Sequence, residues 1–198
     1  MNDKLPISLY KDANVVRIAR NLLGKQLWTN FNNKLTAGLI VEVEAYCGAT
    51  DRASHAYPNK KTSRTKIMYN SGGVAYVYLV YGMHHLFNIV TNVEGSADAV
   101  LIRAIEPVIG EEVMKDRRNH YQSNKLLTGG PARLSQALGI TVEHNKTSLQ
   151  GEEIWLTEGK HYNGSEIITS SRIGVEYAGA DALLPWRFHI NDNKYVSK

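Results

Sequence analysis

A single cysteine, Cys47, stands in the 198 residues of this chain. One thiol excludes a disulfide framework and any cysteine-rich zinc site. Long apolar runs are missing too: the longest, Val74 to Met83, is about half the ~20 residues that span a bilayer. The opening Met1-Asn2-Asp3-Lys4-Leu5-Pro6 has no apolar signal core, so a soluble intracellular protein without membrane association is expected. Neither sign of charge dominates, since 23 Lys and Arg against 19 Asp and Glu give a net charge of +4, which permits an anionic partner without requiring one. Phenylalanine and tryptophan are scarce at three each, whereas tyrosines number eleven. Four of them, Tyr69, Tyr76, Tyr78 and Tyr81, crowd one short stretch. With 43% hydrophobic residues and no repeat, low-complexity tract or linker, residues 1–198 are expected to form one domain around one core.

Periodicity supplies the elements. Asp12 is placed to cap a helix in which Val15, Val16, Ile18, Ala19, Leu22 and Leu23 recur at helical spacing, with Gly24 in the left-handed position that ends it. From Lys25 the period becomes two. Ala37 to Tyr46 reads as a strand with Leu39, Val41, Val43 and Ala45 on one face and Glu42, Glu44 and Tyr46 on the other. A long polar connection over 47–73 follows, carrying Lys60, Lys61, Arg64 and Lys66. The spacing then predicts a hairpin with arms Val74 to Val80 and His85 to Asn92 and a bend at Tyr81-Gly82-Met83-His84. Another strand is expected from Asp98 to Glu106, with Ala99, Leu101, Arg103 and Ile105 sharing a face. Pro107 is expected to open a helix, and Gly129-Gly130-Pro131 to lead into a short one over Ala132 to Leu138, stopped by Gly139. Strand-like runs close the chain at Ile154 to Thr157, Glu166 to Thr169, Ile173 to Val175 and Arg187 to Ile190. Strands outnumber helices without βαβ alternation, so the fold class is α+β: a curved, mainly antiparallel sheet flanked by helices, with a protruding β-hairpin.

Three features can carry chemistry. Glu44, between an acid and a tyrosine on one strand face, suits a general base toward water, although such a face is more often simply wetted. Arg103 breaks the apolar pattern of its strand, and a buried guanidinium needs an acidic partner or an anionic ligand; Glu44 qualifies as that partner. The tyrosine-bearing hairpin, with Tyr81 and Met83 at its end, would be an aggregation liability unless something covers it, and nucleic acid would do so. His55 lies in the polar loop without enough companions to hold a metal, and the adjacent His84 and His85 point to opposite faces of a strand, so no metal site is expected. No phosphate loop, dinucleotide fingerprint, serine nucleophile elbow or HExxH pattern is present. Besides an enzyme acting on nucleic acid, two readings stay open: a non-catalytic nucleic-acid module, and a small-molecule glycoside hydrolase using Glu42 with Glu44. The last is disfavoured because carboxyls two apart on a strand stand side by side and do not flank a substrate bond.

Taken in order, Val41-Glu42-Val43-Glu44-Ala45-Tyr46, His55, Tyr76-Val77-Tyr78-Leu79-Val80-Tyr81-Gly82-Met83 with Asn88, and Leu101-Ile102-Arg103-Ala104-Ile105-Glu106-Pro107 resemble the alkyladenine (3-methyladenine) DNA glycosylase family. Gly130-Pro131-Ala132-Arg133-Leu134-Ser135-Gln136-Ala137-Leu138 and the segment from Ser171-Arg172-Ile173-Gly174 to Tyr177-Ala178-Gly179 extend the resemblance toward the C-terminus. It implies a monofunctional base-excision repair enzyme, monomeric and located with the DNA, in the cytoplasm or nucleoid of a bacterium or the nucleus of a eukaryote. Such an enzyme hydrolyses the N-glycosidic bond of alkylated or deaminated purines in double-stranded DNA without metal or cofactor. By the same resemblance Glu44 activates the water and Arg103 helps to hold it. Tyr46, His55 and Tyr78 surround the flipped base, and Asn88 restricts which purines enter. Tyr81 fills the vacated stack, Met83 and His84 lie against the minor groove, and Arg64 lies near backbone phosphate. Where the family often has another aromatic, this chain has His84, which suggests a phosphate contact there instead. His55 is a candidate acid for neutral leaving bases, and no lysine in the constellation offers a Schiff base for strand cleavage.

Overall fold

The computed structural model describes residues 3–119, 123 and 127–197. Eight strands form one sheet: β1 (Gln26–Phe31), β2 (Lys34–Tyr46), β3 (Ala75–Val80), β4 (His84–Thr91), β5 (Asp98–Ile109), β6 (Ile154–Thr157), β7 (Ile167–Ser170) and β8 (Arg187–Ile190). Their order is β3-β4-β5-β2-β1-β6, every pairing is antiparallel, and β8 joins β2 to β7. The α+β expectation holds.

The long β2 organises the sheet. Along one edge it pairs first with β1 and then, from Glu42, with β8, while its other edge runs along β5. Three irregularities interrupt the pairing of β2 and β5, one between Ala37 and Gly38 and two beside the site: Val41 has no partner between the pairs Ile40–Ile105 and Glu42–Ala104, and Arg103 none between Glu42–Ala104 and Val43–Ile102. A bulge re-aims side chains, and here it changes the alternation read from sequence. Ile40 joins Val41, Val43 and Ala45 in the main core while Leu39 is only half-buried, and Ile105 packs into that core instead of sharing the face of Arg103.

Helices α1 (Val15–Leu22), α2 (Glu111–Arg117) and α3 (Pro131–Leu138) pack against this sheet. Asn14 caps α1 by accepting from the Arg17 N–H, and Asp12 accepts from the Asn14 N–H one step upstream, so the cap is Asn14 and not Asp12. Pro107 does not open a helix. It lies inside β5 opposite Gly38, beyond the stretch where β4 pairs, so its missing N–H breaks no ladder; the left-handed Gly110 (φ 72°) then starts α2 at Glu111. Pro131 takes the first position of α3, one residue earlier than expected, and Gly139 (φ 76°) ends it. Ile173 to Val175 is not a strand: Gly174 (φ 74°) turns the chain there, ahead of a 3₁₀ segment over Glu176–Leu183. Among the described residues no helix is long and apolar enough to cross a membrane.

Candidate active site

The face of β3, β4, β5 and β2 turned away from the main core carries a cavity of about 520 Å³. Tyr76 and Tyr78 from β3, Asn88 from β4, Leu101 and Arg103 from β5 and Tyr46 from β2 line it. Strand alternation places these residues together. His55 and Arg64 reach it from the 47–73 connection, and Tyr81 stands at its rim.

At the back of the cavity lies a row of charges closed off from solvent. Glu42 and Glu44 are both fully buried, which overturns the reading of that face as wetted, and Arg103 is 6% exposed. Arg103 Nε donates to Glu42 Oε1 (2.9 Å) and Nη1 to Glu44 Oε2 (3.2 Å). Arg187 Nε donates to the same Glu42 oxygen at 2.7 Å, and Ser197 closes the group through its N–H to Glu42 Oε2 (2.7 Å) and its hydroxyl to Oε1 (2.8 Å). Burial alone would raise the pKa of Glu42, but Arg103, the Ser197 N–H and Arg187 outweigh it and hold the carboxyl below its ordinary range.

Glu44 is held differently. Its Oε2 accepts from the Tyr46 hydroxyl (2.7 Å) as well as from Arg103, and its Oε1 accepts from the Ile173 N–H (2.8 Å). A carboxylate offers about four acceptor sites. Three described donors occupy the Glu44 group, which leaves one for a water proton. Tyr46 stays a phenol because burial, then the charge of Glu44, pushes its pKa well up.

The aromatic wall is a connected set. The Tyr76 and Tyr78 rings lie 5.2 Å apart, and His55 meets Tyr78 edge-on at 4.6 Å, with its Nδ1 within 2.9 Å of the Tyr76 hydroxyl. Burial, then the nearby charge of Arg64, lowers the His55 pKa to about 4. The imidazole is therefore neutral at physiological pH, with one ring nitrogen still carrying its proton. Asn88 sits opposite Tyr76 across the hairpin, its amide donating to the Tyr76 carbonyl (3.1 Å), so it forms a fixed part of the wall.

Sequence reasoning missed the support behind this wall. Arg172 makes a bidentate, fully buried pair with Asp51 (2.5 and 2.8 Å), donates to the Ala45 carbonyl, and lies over the rings of Tyr46 (4.8 Å) and Trp186 (5.3 Å). It ties the loop bearing His55 to the strand bearing Tyr46. The available signal was that Arg172 directly precedes the Ile173 whose N–H reaches Glu44.

The hairpin tip faces outward. Tyr81 is 90% exposed and Met83 68%. Tyr81 (φ 52°) and Gly82 (φ 69°) are both left-handed, and Met83 N–H donates to the Val80 carbonyl (3.2 Å), which makes a tight primed turn. His84 begins β4 and borders a second groove of about 680 Å³, which meets the first at Arg103 and Pro131 and is edged by Arg118 and Arg133. Arg64, expected near phosphate, has its guanidinium 4.6 Å over the Tyr78 ring. Among the described residues no three His, Cys, Asp or Glu side chains are grouped to hold a metal ion.

Comparison with known proteins fits this arrangement. Residues 9–194 match the profile of the family described as methylpurine-DNA glycosylase. A protein of Alkaliphilus oremlandii named putative 3-methyladenine DNA glycosylase is 44% identical over 196 residues, covering 96% of each chain. One of the same name from Chlamydia felis is 46% identical over 191 residues, covering 96% of this chain and 97% of its own. With the match running through every strand that lines the cavity, this chain belongs to the methylpurine-DNA glycosylase family.

Proposed function

We propose that this DNA glycosylase acts in base-excision repair as a monomer of one domain, releasing 3-methyladenine, hypoxanthine and ethenoadenine-type purines from double-stranded DNA after flipping them into the cavity. The observation that carries this reading is Glu44, buried with a single acceptor site to spare, beside Arg103 and behind walls of Tyr46, His55, Tyr78 and Asn88.

A base within a duplex cannot present its glycosidic bond to water, so it is first extruded, at a cost of a few kcal/mol that is lower for damaged pairs. Tyr81 at the hairpin tip enters the gap, an aromatic wedge in the minor groove, with Met83 and His84 beside it. The groove edged by His84, Arg118 and Arg133 gives the phosphate backbone a basic track. In the cavity the extruded purine stacks on Tyr46 and Tyr78, contacts worth ~1–3 kcal/mol per base, while Asn88 limits the shapes that fit. A water held by Arg103 attacks C1′ as the bond to N9 breaks. Glu44 accepts its proton, and the negative charge opposes the positive charge that builds on the sugar. Among the described residues no lysine lines the cavity, so the strand is expected to stay intact.

The test is incubation with duplexes carrying one hypoxanthine, ethenoadenine or methylated purine. Abasic sites that break only on alkali treatment are expected. Strand breaks before alkali overturn the monofunctional reading, and absence of abasic sites overturns excision itself.

A further inference from the structure

Four described donors reach Glu42: Arg103 Nε, Arg187 Nε and the Ser197 hydroxyl at Oε1, and the Ser197 N–H at Oε2. That is as many as a carboxylate ordinarily accepts, so Glu42 has no site to offer a water, whereas Glu44 keeps one. Arg103 is shared between the two acids, Nε on Glu42 and Nη1 on Glu44, and one guanidinium cannot neutralise two carboxylates. The missing charge comes from β8. Arg187 stands opposite Glu44 in register with its side chain 11% exposed, and its Nη1 donates to the Ser170 hydroxyl (3.1 Å) and its Nη2 to the Ser197 carbonyl (3.2 Å) while Nε reaches Glu42. The other groups nearby do not alter the count. Arg172 is matched by Asp51, and at neutral pH the His189 ring toward Glu42 and the phenols of Tyr46, Tyr78 and Tyr177 toward Glu44 carry no charge.

We infer that Arg187 is a positioning residue for excision: by neutralising Glu42 it leaves Arg103 free to serve Glu44 and the attacking water, and so keeps Glu44 ionised as the base. This rests on the excision reading above. Two carboxylates and two guanidinium groups make the row Glu42, Glu44, Arg103 and Arg187 neutral. Without Arg187, two buried carboxylates face one guanidinium. Like charges sharing one site do not both ionise freely, so the pair takes up a proton at a pH where the balanced row holds none. Ser197 couples the two halves, since its hydroxyl accepts from Arg103 Nη2 (3.2 Å) and donates to Glu42. Glu42 and Arg187 thus act on the reaction through Arg103, without touching substrate.

The experiment follows single-turnover excision against pH, with saturating enzyme and a duplex carrying 7-methylguanine, a cationic base that needs no proton to leave. The readout is the pH of half-maximal rate on the acid side. Arg187→Gln is expected to raise it by about 1–3 pH units, the range over which a neighbouring opposite charge moves a carboxyl. Arg187→Lys, which keeps the charge, should recover most of that shift. Glu42→Gln leaves a guanidinium in excess and should lower the half-maximal pH. Glu42→Gln combined with Arg187→Gln restores the balance and should bring it back close to wild type, although every contact between the two side chains is lost. An equal loss of rate at all pH values in Arg187→Gln makes that residue a structural support and overturns the inference. So does a double variant as far shifted as Arg187→Gln. Where Arg187→Gln does not fold, an unmoved half-maximal pH in Glu42→Gln overturns it equally. The wild-type arm stands apart: no abasic sites from this duplex or from one carrying hypoxanthine overturns excision, and the Arg187 role with it.

Discussion

At the back of the cavity, Glu42, Glu44 and Arg103 are shut away from solvent and each held by several partners, whereas at the hairpin tip Tyr81 is 90% exposed and its side chain holds nothing. The buried charges are over-determined. Removing one partner leaves an uncompensated charge inside the protein, which costs far more than the pair contributes. The tip is the reverse case. A tyrosine at φ 52° occupies a region that L residues avoid, with a strain of order 1–3 kcal/mol. On the proposed reading, the interior serves stability and chemistry together, and the tip serves a partner. Strain at an exposed aromatic is tolerated because the hairpin arms behind it pair from Ala75–Ile89 to Val80–His84.

This contrast can be broken most forcefully at Glu44. Glu44→Gln keeps the shape but cannot accept a proton, so lesion-DNA binding should persist while single-turnover excision falls by ~10²–10⁴-fold, the range for a positioned general base. Near-normal excision would remove Glu44 from the chemistry. Next comes Arg103→Met, which leaves the buried Glu44 without its ion-pair partner while Glu42 keeps Arg187, and is expected to cost ~3–5 kcal/mol, read as a lowered urea midpoint at unchanged slope. A fall of less than about 1 kcal/mol, the range of exposed pairs, would show the interior network to be no more than a surface pair.

The pH dependence of stability sharpens the interior half. As pH falls from His55's ordinary 6.5 toward about 4, the unfolded chain binds a proton that the native imidazole refuses, so unfolding free energy declines across that window. Glu42, whose native pKa lies below its ordinary 4.5, adds a loss of the same sign as pH drops further. His55→Asn should flatten the decline between pH 6.5 and 4.5 in urea titrations, while an identical profile would assign it elsewhere. The smallest effect on stability is expected at the tip. Tyr81→Gly should leave the melting temperature unchanged or slightly higher, since relief of strain opposes the extra freedom of the unfolded chain. Discrimination between lesion and undamaged duplex should nevertheless weaken, and a destabilised variant with full discrimination would reverse the assigned roles.

Much of this site was legible because its residues misfit their surroundings. Arg103 interrupts an apolar strand, and the misfit led to its acidic partner. Tyr81 at a bend flanked by apolar arms announced an exposed tip. Glu42 was not legible: an alternating strand shows which residues share a face but not whether water reaches it, and what covers Glu42 is Ser197, 155 positions away. Ile173 to Val175 looked like a strand by composition, yet Gly174 turns the chain so that the Ile173 N–H points at Glu44. Pro107 looked like a helix start because its local signal is the same within a strand at a stretch that β4 leaves unpaired. In each case the missing information was a contact made at long range.

The two irregularities at Val41 and Arg103 have a consequence for how this site can change. Val41 advances one strand by a residue and Arg103 advances the other within the next two pairs, so the slip opens and cancels, and the register beyond it is undisturbed. Deleting Val41 would leave Arg103 uncompensated and shift the following pairs by one, turning Val43 and Ala45 toward the cavity and Glu44 into the core. Substitution can therefore tune this centre residue by residue, but insertion and deletion cannot enter it. The reading frame of the sheet and the placement of its acid and its arginine are one property, and they would be lost together.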